Sequence, residues 1–275
     1  MRLIGGAVGC WMLTRICPSG ETGYLDGRAY AHRSKLATLL GEGFFDEIRG
    51  RTVIDFGCGA GDQSVEMAKR GAERVIGVDI NTTLLAAARK HADAQGVADR
   101  CRFMRTPDER ADIVVSLDAF EHFDDPARIL RIMDTYLAAG GKVIASFGPT
   151  WYHPLGGHIF SVFPWAHLVF TEQALLRWRK SFRPSQQAAR ITDCGLNKIT
   201  VRRFERIVAE SPFRFAAFEA RPIRGVRAFT LPVLREFGTS VVRCTLIRKT
   251  DPVARDAVPP ARNAPFERLR SNLRP

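Results

Sequence analysis

From residue 51 the chain alternates short apolar runs with amphipathic ones, and no other feature limits the fold so tightly. RTVIDFG (51–57), RVIGVDI (74–80), CRFMR (101–105), ADIVVSLDAF (111–120) and GKVIASFG (141–148) read as strands. Between them DQSVEMAKRGA, TLLAAARKHADAQG and DPARILRIMDTYLAAG read as helices. The last opens at Asp125-Pro126, stops at Gly140, and turns Ile129, Leu130, Ile132, Met133 and Leu137 to one face. Such alternation calls for a parallel sheet joined by right-handed crossovers. A further helix, TVRRFERIVAES, and two more strands, FRFAAFEARPI and TSVVRCTLIRK, bring the count to seven. The expected fold is α/β: a Rossmann-like, seven-stranded, mostly parallel sheet with helices on both faces and an insertion after strand five.

That insertion, 149–198, begins with PTWYHPLGGHIFSVFPWAHLVF and leads into a basic helical stretch, TEQALLRWRKSFR. At about fifty residues it exceeds an ordinary connection, which marks it as functional. The expected organisation is an N-terminal helical segment (1–50), a core domain (51–249) containing the insertion, and a disordered tail (250–275) rich in proline and arginine.

The glycine loop VIDFGCGAGD (53–62) sits where parallel sheets bind nucleotides, beyond the carboxyl end of a strand. A dinucleotide loop wants glycine or alanine at position 62, where the pyrophosphate meets a helix N-terminus. Here Asp62 stands, expected to satisfy free N–H groups of the helix and to oppose a phosphate. Asp55 adds negative charge on the other side. Asp79, at the tip of the second strand, is placed to accept hydrogen bonds from ribose hydroxyls, with Ile80 beside it to cover an adenine face. A nucleoside carrying a positive charge fits this loop, and S-adenosylmethionine is such a molecule. An NAD-dependent enzyme is disfavoured by Asp62.

V-I-D-F-G-C-G-A-G resembles motif I of the class I S-adenosylmethionine-dependent methyltransferases, and G-V-D-I resembles their second-strand acidic motif. S-L-D-A-F-E-H-F-D-D-P (116–126) is similar to the segment after strand four in the ubiquinone-biosynthesis-like small-molecule methyltransferases. The likeness covers residues 45–150. It implies S-adenosylmethionine as cofactor, with Asp55, Gly57, Cys58, Gly59 and Gly61 at its methionine part, Asp79 at the ribose and Ile80 at the adenine. Ser116 and Leu117 would line the pocket near the sulfur. The chain departs from the family after strand three, where Arg105, Thr106 and Asp108 stand in place of a clear adenine-binding acid. Glu121 reads equally as a structural carboxylate or as part of the site.

Methyl transfer from a sulfonium is an in-line displacement with a neutral leaving group, so alignment and exclusion of water are the main tasks. A hydroxyl acceptor also needs a base. His122 follows strand four, and His153 and His158 follow strand five, so all three are candidates, with His167 deeper in the insertion. Trp151, Tyr152, Phe160, Phe163, Trp165 and Phe170 suit a lid over a hydrophobic or aromatic acceptor, with Gly156-Gly157 as its hinge. Arg177, Arg179, Lys180 and Arg183 read as a solvated helix face, or as a grip for an anionic acceptor or a membrane surface.

The net charge of +12 is spread along the chain with no dominant basic block, so no nucleic-acid partner is expected. The six cysteines form no C-x-x-C pair and give no metal site or disulfide framework. A cytoplasmic enzyme is expected, with an apolar N-terminal helix that packs on the domain or touches a membrane surface. Its function is expected to be small-molecule methylation, at oxygen. The alternatives are an RNA or protein acceptor, against which stands the absence of an Asn-Pro-Pro-Tyr type motif after strand four, or a non-catalytic binding protein of the same fold.

Overall fold

The structure is a computed structural model that describes residues 3–20, 33–184 and 188–252. Most of the expected tail, 253–275, lies outside the described residues. Seven strands form one sheet in the order β3-β2-β1-β4-β5-β7-β6. They are β1 (Thr52–Phe56), β2 (Arg74–Val78), β3 (Cys101–Met104), β4 (Ala111–Leu117), β5 (Leu137–Phe147), β6 (Phe213–Pro222) and β7 (Thr239–Arg248). The first five are parallel; β7 runs antiparallel to β5 and to β6.

Helices cover both faces, so the central strands are apolar on both sides, as a doubly covered parallel sheet demands. On one face α2 (Lys35–Leu40), α3 (Gly43–Ile48), α4 (Asp62–Lys69) and α5 (Thr82–Ala94) follow a first helix, α1 (Gly6–Ile16). α2 to α5 pack over Val53, Val75, Ile113 and Val115. On the other face α6 (Pro126–Tyr136) and α9 (Val201–Glu210) pack over Ile54, Ile76, Val114 and Val143. Adjacent residues of one strand thus feed opposite cores, the period-two rule at work. α9 shows why it docks: Val201, Phe204, Ile207 and Val208 fall on one stripe and are buried.

Between β5 and α9 lie α7 (Ala166–Val169) and α8 (Glu172–Phe182), and α10 (Arg235–Gly238) precedes β7. The insertion and α1 share a third core, in which Leu13 and Cys17 meet Trp151, Phe160, Phe170, Leu175 and Trp178. Gly9 lets α1 lie close to α8, since a Cβ there would stand 3.0 Å from that of Ala174. None of the helices formed by the described residues is long and apolar enough to cross a membrane.

One boundary differs from the sequence reading. The helix expected to reach Gly140 ends at Tyr136, and Leu137–Gly140 join β5, where Leu137 pairs with Ala111 before a register shift. Arg248, at the far end of β7, accounts for the stop. Its guanidinium donates to the carbonyl oxygens of Asp134, Leu137 and Ala138 and to the Asp134 carboxylate, at 2.6–2.9 Å. It thereby ties the Asp134 carbonyl of the last helical turn to the carbonyls of Leu137 and Ala138 at the start of β5.

Candidate active site

The carboxyl ends of β1, β2, β4 and β5 form one rim. Off β1 the chain enters the glycine loop, where Gly57, Gly59 and Gly61 have φ of 89°, 55° and 85°. A side chain is disfavoured in that region, so the alternation of glycines is conformational as well as steric. The N–H groups of Gly57 and Cys58 donate to Val78 O at 2.8 and 3.0 Å, drawing the loop over β2. Asp79 holds its crest: one carboxylate oxygen accepts from Gly59 N–H at 3.0 Å and the other from Asn81 N–H at 2.8 Å. An ionised carboxylate has about four lone-pair sites, so Asp79 keeps capacity for two ribose hydroxyls. Ile80 next to it is 85% exposed, a bare apolar surface of the kind an adenine face covers. Open space lies above Gly59. These groups fit a nucleoside ligand.

Beneath this surface the other residues assigned to the cofactor are buried. Asp55 accepts a 2.6 Å hydrogen bond from Ser64 Oγ, and burial pushes its pKa up to about 6, with Asp79 and Asp62 adding to the rise. Ser116 Oγ donates to Phe56 O at 3.0 Å, and Leu117 belongs to the core. The Cys58 thiol is driven upward by burial and by Asp55, which keeps it neutral. Asp62 departs from its expected role. The N-cap of α4 is Gly61, no side chain caps that end, and the Asp62 carboxylate lies 3.3 Å from His91 on α5. Its negative charge stays near the loop; its expected capping bonds are absent. After β3, Asp108 is engaged by Arg102 at 2.5 Å, while Arg105 and Thr106 are exposed.

Across the rim the turn after β4 meets the insertion. Asp118 adopts φ 49° and pairs with Lys35 of α2 at 2.8 Å. Asn197 clamps the turn: its amide donates to Phe120 O at 2.6 Å and Phe123 O at 2.8 Å, and its backbone N–H to Glu121 O at 3.0 Å. Neither Lys35 nor Asn197 carries a local sequence signal, because each acts on residues more than seventy positions away. Glu121 is buried, with one carboxyl oxygen accepting from Gly148 N–H at 3.2 Å. Its other oxygen has no hydrogen-bond partner among the described residues. Burial, then the charge of Asp118, pushes its pKa up to about 8, so at neutral pH it is a carboxylic acid. It lines a small cavity with Pro149, Trp151, His158 and Lys198.

Carbonyl partners fix the histidine tautomers, since a carbonyl can only accept. His122 Nδ1 lies 2.6 Å from Gly195 O and must carry the proton, leaving Nε2 as the basic atom of an exposed ring. His158 Nε2 faces Pro149 O at 3.4 Å, and burial lowers its pKa to about 4. The two rings meet edge-on with centroids 5.5 Å apart. His153 is buried and doubly engaged. Its Nδ1 accepts from Leu155 N–H at 3.0 Å and its Nε2 lies 3.2 Å from Ser240 Oγ, while burial lowers its pKa to about 4. His167 is buried with Nε2 2.7 Å from Trp151 O. The structure thus brings His122, His158 and Glu121 together and ties His153 and His167 into the insertion. At Gly156-Gly157 a Cβ would fall 2.2 Å from Thr150 O at the first and 2.5 Å from His167 Cβ at the second, so close packing accounts for a glycine at both positions.

Fold and rim define a class I S-adenosylmethionine-dependent methyltransferase, and the chain belongs to that family, whose cofactor is S-adenosylmethionine. Residues 54–145 match the family described as Methyltransferase domain. The chain is 39% identical over 104 residues to a ubiquinone biosynthesis O-methyltransferase of Aeromonas salmonicida, a match covering 35% of this chain. It is 35% identical over 160 residues, 54% of this chain, to the protein of that name from Pseudomonas paraeruginosa. These matches span 43% and 66% of the relatives' own lengths. The crystal structure of magnesium protoporphyrin IX methyltransferase from Synechocystis PCC 6803, with bound SAH, shares the fold at a TM-score of 0.50 and 18% identity, covering 88% of this chain and 94% of that one.

Proposed function

We propose that the protein transfers a methyl group from S-adenosylmethionine to an oxygen of a small, hydrophobic or aromatic acceptor. The observation that carries this reading is the acid-anchored glycine loop, Asp79 on Gly59, at the same sheet end as an exposed histidine whose Nδ1 is committed to a carbonyl. The O-methyltransferase names of the Aeromonas and Pseudomonas relatives support oxygen as the methylated atom.

S-adenosylmethionine supplies a methyl group on a sulfonium that leaves as a neutral thioether. Asp79 and Ile80 hold the nucleoside, and Asp62 and Asp79 keep the rim negative, which favours a cationic ligand over a diphosphate. Trp151, which lines the cavity beside Glu121 and His158, keeps water from the side where the acceptor enters. His122 takes the hydroxyl proton at Nε2, because Nδ1 is committed to Gly195 O. Glu121, neutral and buried, fixes the turn that carries His122 through Gly148 N–H.

Labelled methyl donor added to the purified protein and to extracts of the source cells tests this. Label in a small-molecule or lipid fraction is the expected result. Label in RNA or protein transfers the acceptor to a macromolecule, and label in no fraction, with S-adenosylmethionine bound, leaves a non-catalytic binding protein.

A further inference from the structure

Residues 223–238, between β6 and β7, take no part in the site described above, yet they expose an unusual amount of apolar surface. Leu231 is 56% exposed, Val233 70%, Leu234 39% and Phe237 41%. Soluble surfaces scatter such residues singly; clustered, they mark a partner or a membrane. The segment's place follows from strand pairing. β7 is antiparallel to β5, and Pro222 pairs with Thr239, so the connection emerges at the same sheet end as the carboxyl terminus of β5, beside the rim. Ring contact ties it there: Phe237 lies 5.4 Å from Tyr152, whose carbonyl accepts the Trp165 indole N–H at 2.9 Å. Tyr152 and Trp165 are themselves half-exposed rings with polar edges, the type that sits at a lipid headgroup boundary.

Charge selects the occupant. Residues 201–240 hold eight arginines and no lysine, against four glutamates and no aspartate. Of these, Arg202, Arg203, Arg206 and Arg224 are exposed. Arg224 belongs to the connection, and Arg202 adjoins it through its backbone N–H to Glu236 at 2.8 Å; apolar residues with arginines beside them match an anionic bilayer, where cations meet the headgroups and the apolar tips reach the acyl boundary.

We propose that the β6–β7 connection, with Tyr152 and Trp165, docks the protein on an anionic lipid bilayer, with the acceptor side of the rim turned to the membrane. The proposal is independent of which acceptor is methylated. α1 is the internal rival, since Val8 and Trp11 also stand exposed on it, but Arg15 is its sole charge.

Co-sedimentation of the full chain with phosphatidylglycerol vesicles and with phosphatidylcholine vesicles tests it. The expected result is partition onto phosphatidylglycerol that weakens in high salt. Leu231→Ser with Val233→Ser, both well out in solvent, should cost roughly tenfold in partition, with S-adenosylmethionine affinity unchanged as proof of folding. Four results overturn the proposal: no partition onto phosphatidylglycerol vesicles; equal partition by the double variant; loss only with Val8→Ser and Trp11→Ser; or a dimer in solution that the Leu231→Ser, Val233→Ser pair dissolves, which assigns the face to a second copy.

Discussion

The two halves of the rim use their polar groups in opposite ways. On the cofactor half, the Asp79 carboxylate accepts from the backbone N–H groups of Gly59 and Asn81, both within twenty residues of it. On the acceptor half, His122 gives an N–H to Gly195 O across seventy-three positions, His158 and His167 each give one to a carbonyl within the insertion, and His153 spends one nitrogen on Ser240. One half leaves lone pairs facing out; the other uses most of its own to hold an insertion in place. The lesson is that histidines crowded at a rim are mainly scaffolding, and the exceptional one is found by asking which ring nitrogen stays basic and exposed.

The largest effect is expected at that exception. His122→Gln should lower methyl transfer by a factor of about 10²–10⁴, the range of a general base, while calorimetry finds S-adenosylmethionine binding unchanged. His153→Gln should instead lower the unfolding temperature and spare most of the turnover of folded enzyme. If His158→Gln removes activity and His122→Gln does not, the base has been assigned to the wrong edge of the ring pair.

Asp79→Ala comes next. It deletes two charge-assisted hydrogen bonds that shape the loop, each worth about 1.5 kcal/mol, and the groups offered to the ribose. Affinity for S-adenosylmethionine should fall about a hundredfold. Near-normal affinity would mean that the glycine loop keeps its shape without its anchor, and the contrast between the halves would lose its cofactor side.

The same contrast explains what could be read in advance. β1 to β4, the glycine loop and Asp79 are local patterns: strand, turn and helix chemistry lies within a few residues, so sheet class and loop were legible. The end of α6 was not, because Arg248, 112 positions beyond Tyr136, decides it. Asn197 on the Phe120–Phe123 turn, Lys35 on Asp118 and Gly195 O on His122 are likewise contacts between residues more than seventy positions apart. Asp62 shows a subtler failure: its charge was legible, but Gly61 in the left-handed region took the cap position and sent the carboxylate toward His91.

A third effect is a pH signature confined to the acceptor half. Glu121 is raised in the folded protein from 4.5 to about 8, so between those values the folded state holds a proton that the unfolded chain has released. Its contribution is complete below about pH 4.5 and is lost as pH climbs through about 8. Glu121→Gln removes the titration and keeps the neutral shape. Its stability relative to wild type should improve with rising pH, by on the order of 3 kcal/mol between pH 5 and pH 8 in denaturant melts. Asp55 titrates in both proteins and cancels in the difference. A constant difference across that range would mean that Glu121 is ionised when folded.

The smallest effect separates packing from binding within the cofactor half. Gly61 sits at φ 85°, and a Cβ there would meet Ala88 Cβ at 2.8 Å and the Phe103 ring at 3.1 Å. Gly61→Ala should therefore cost about 1–2 kcal/mol, from left-handed strain and from pushing α5 and β3 away from the loop. Gly59 has a φ of 55° with nothing near its Cβ direction, so Gly59→Ala carries only the conformational part, about 1 kcal/mol, and its methyl projects into the open space we propose for the nucleoside. Chemical denaturation should rank Gly61→Ala as the less stable of the two, and calorimetry should rank Gly59→Ala as the weaker binder. Equal ranks in both assays would show that the loop behaves as one strained unit, with no division between a glycine kept for packing and a glycine kept for the ligand.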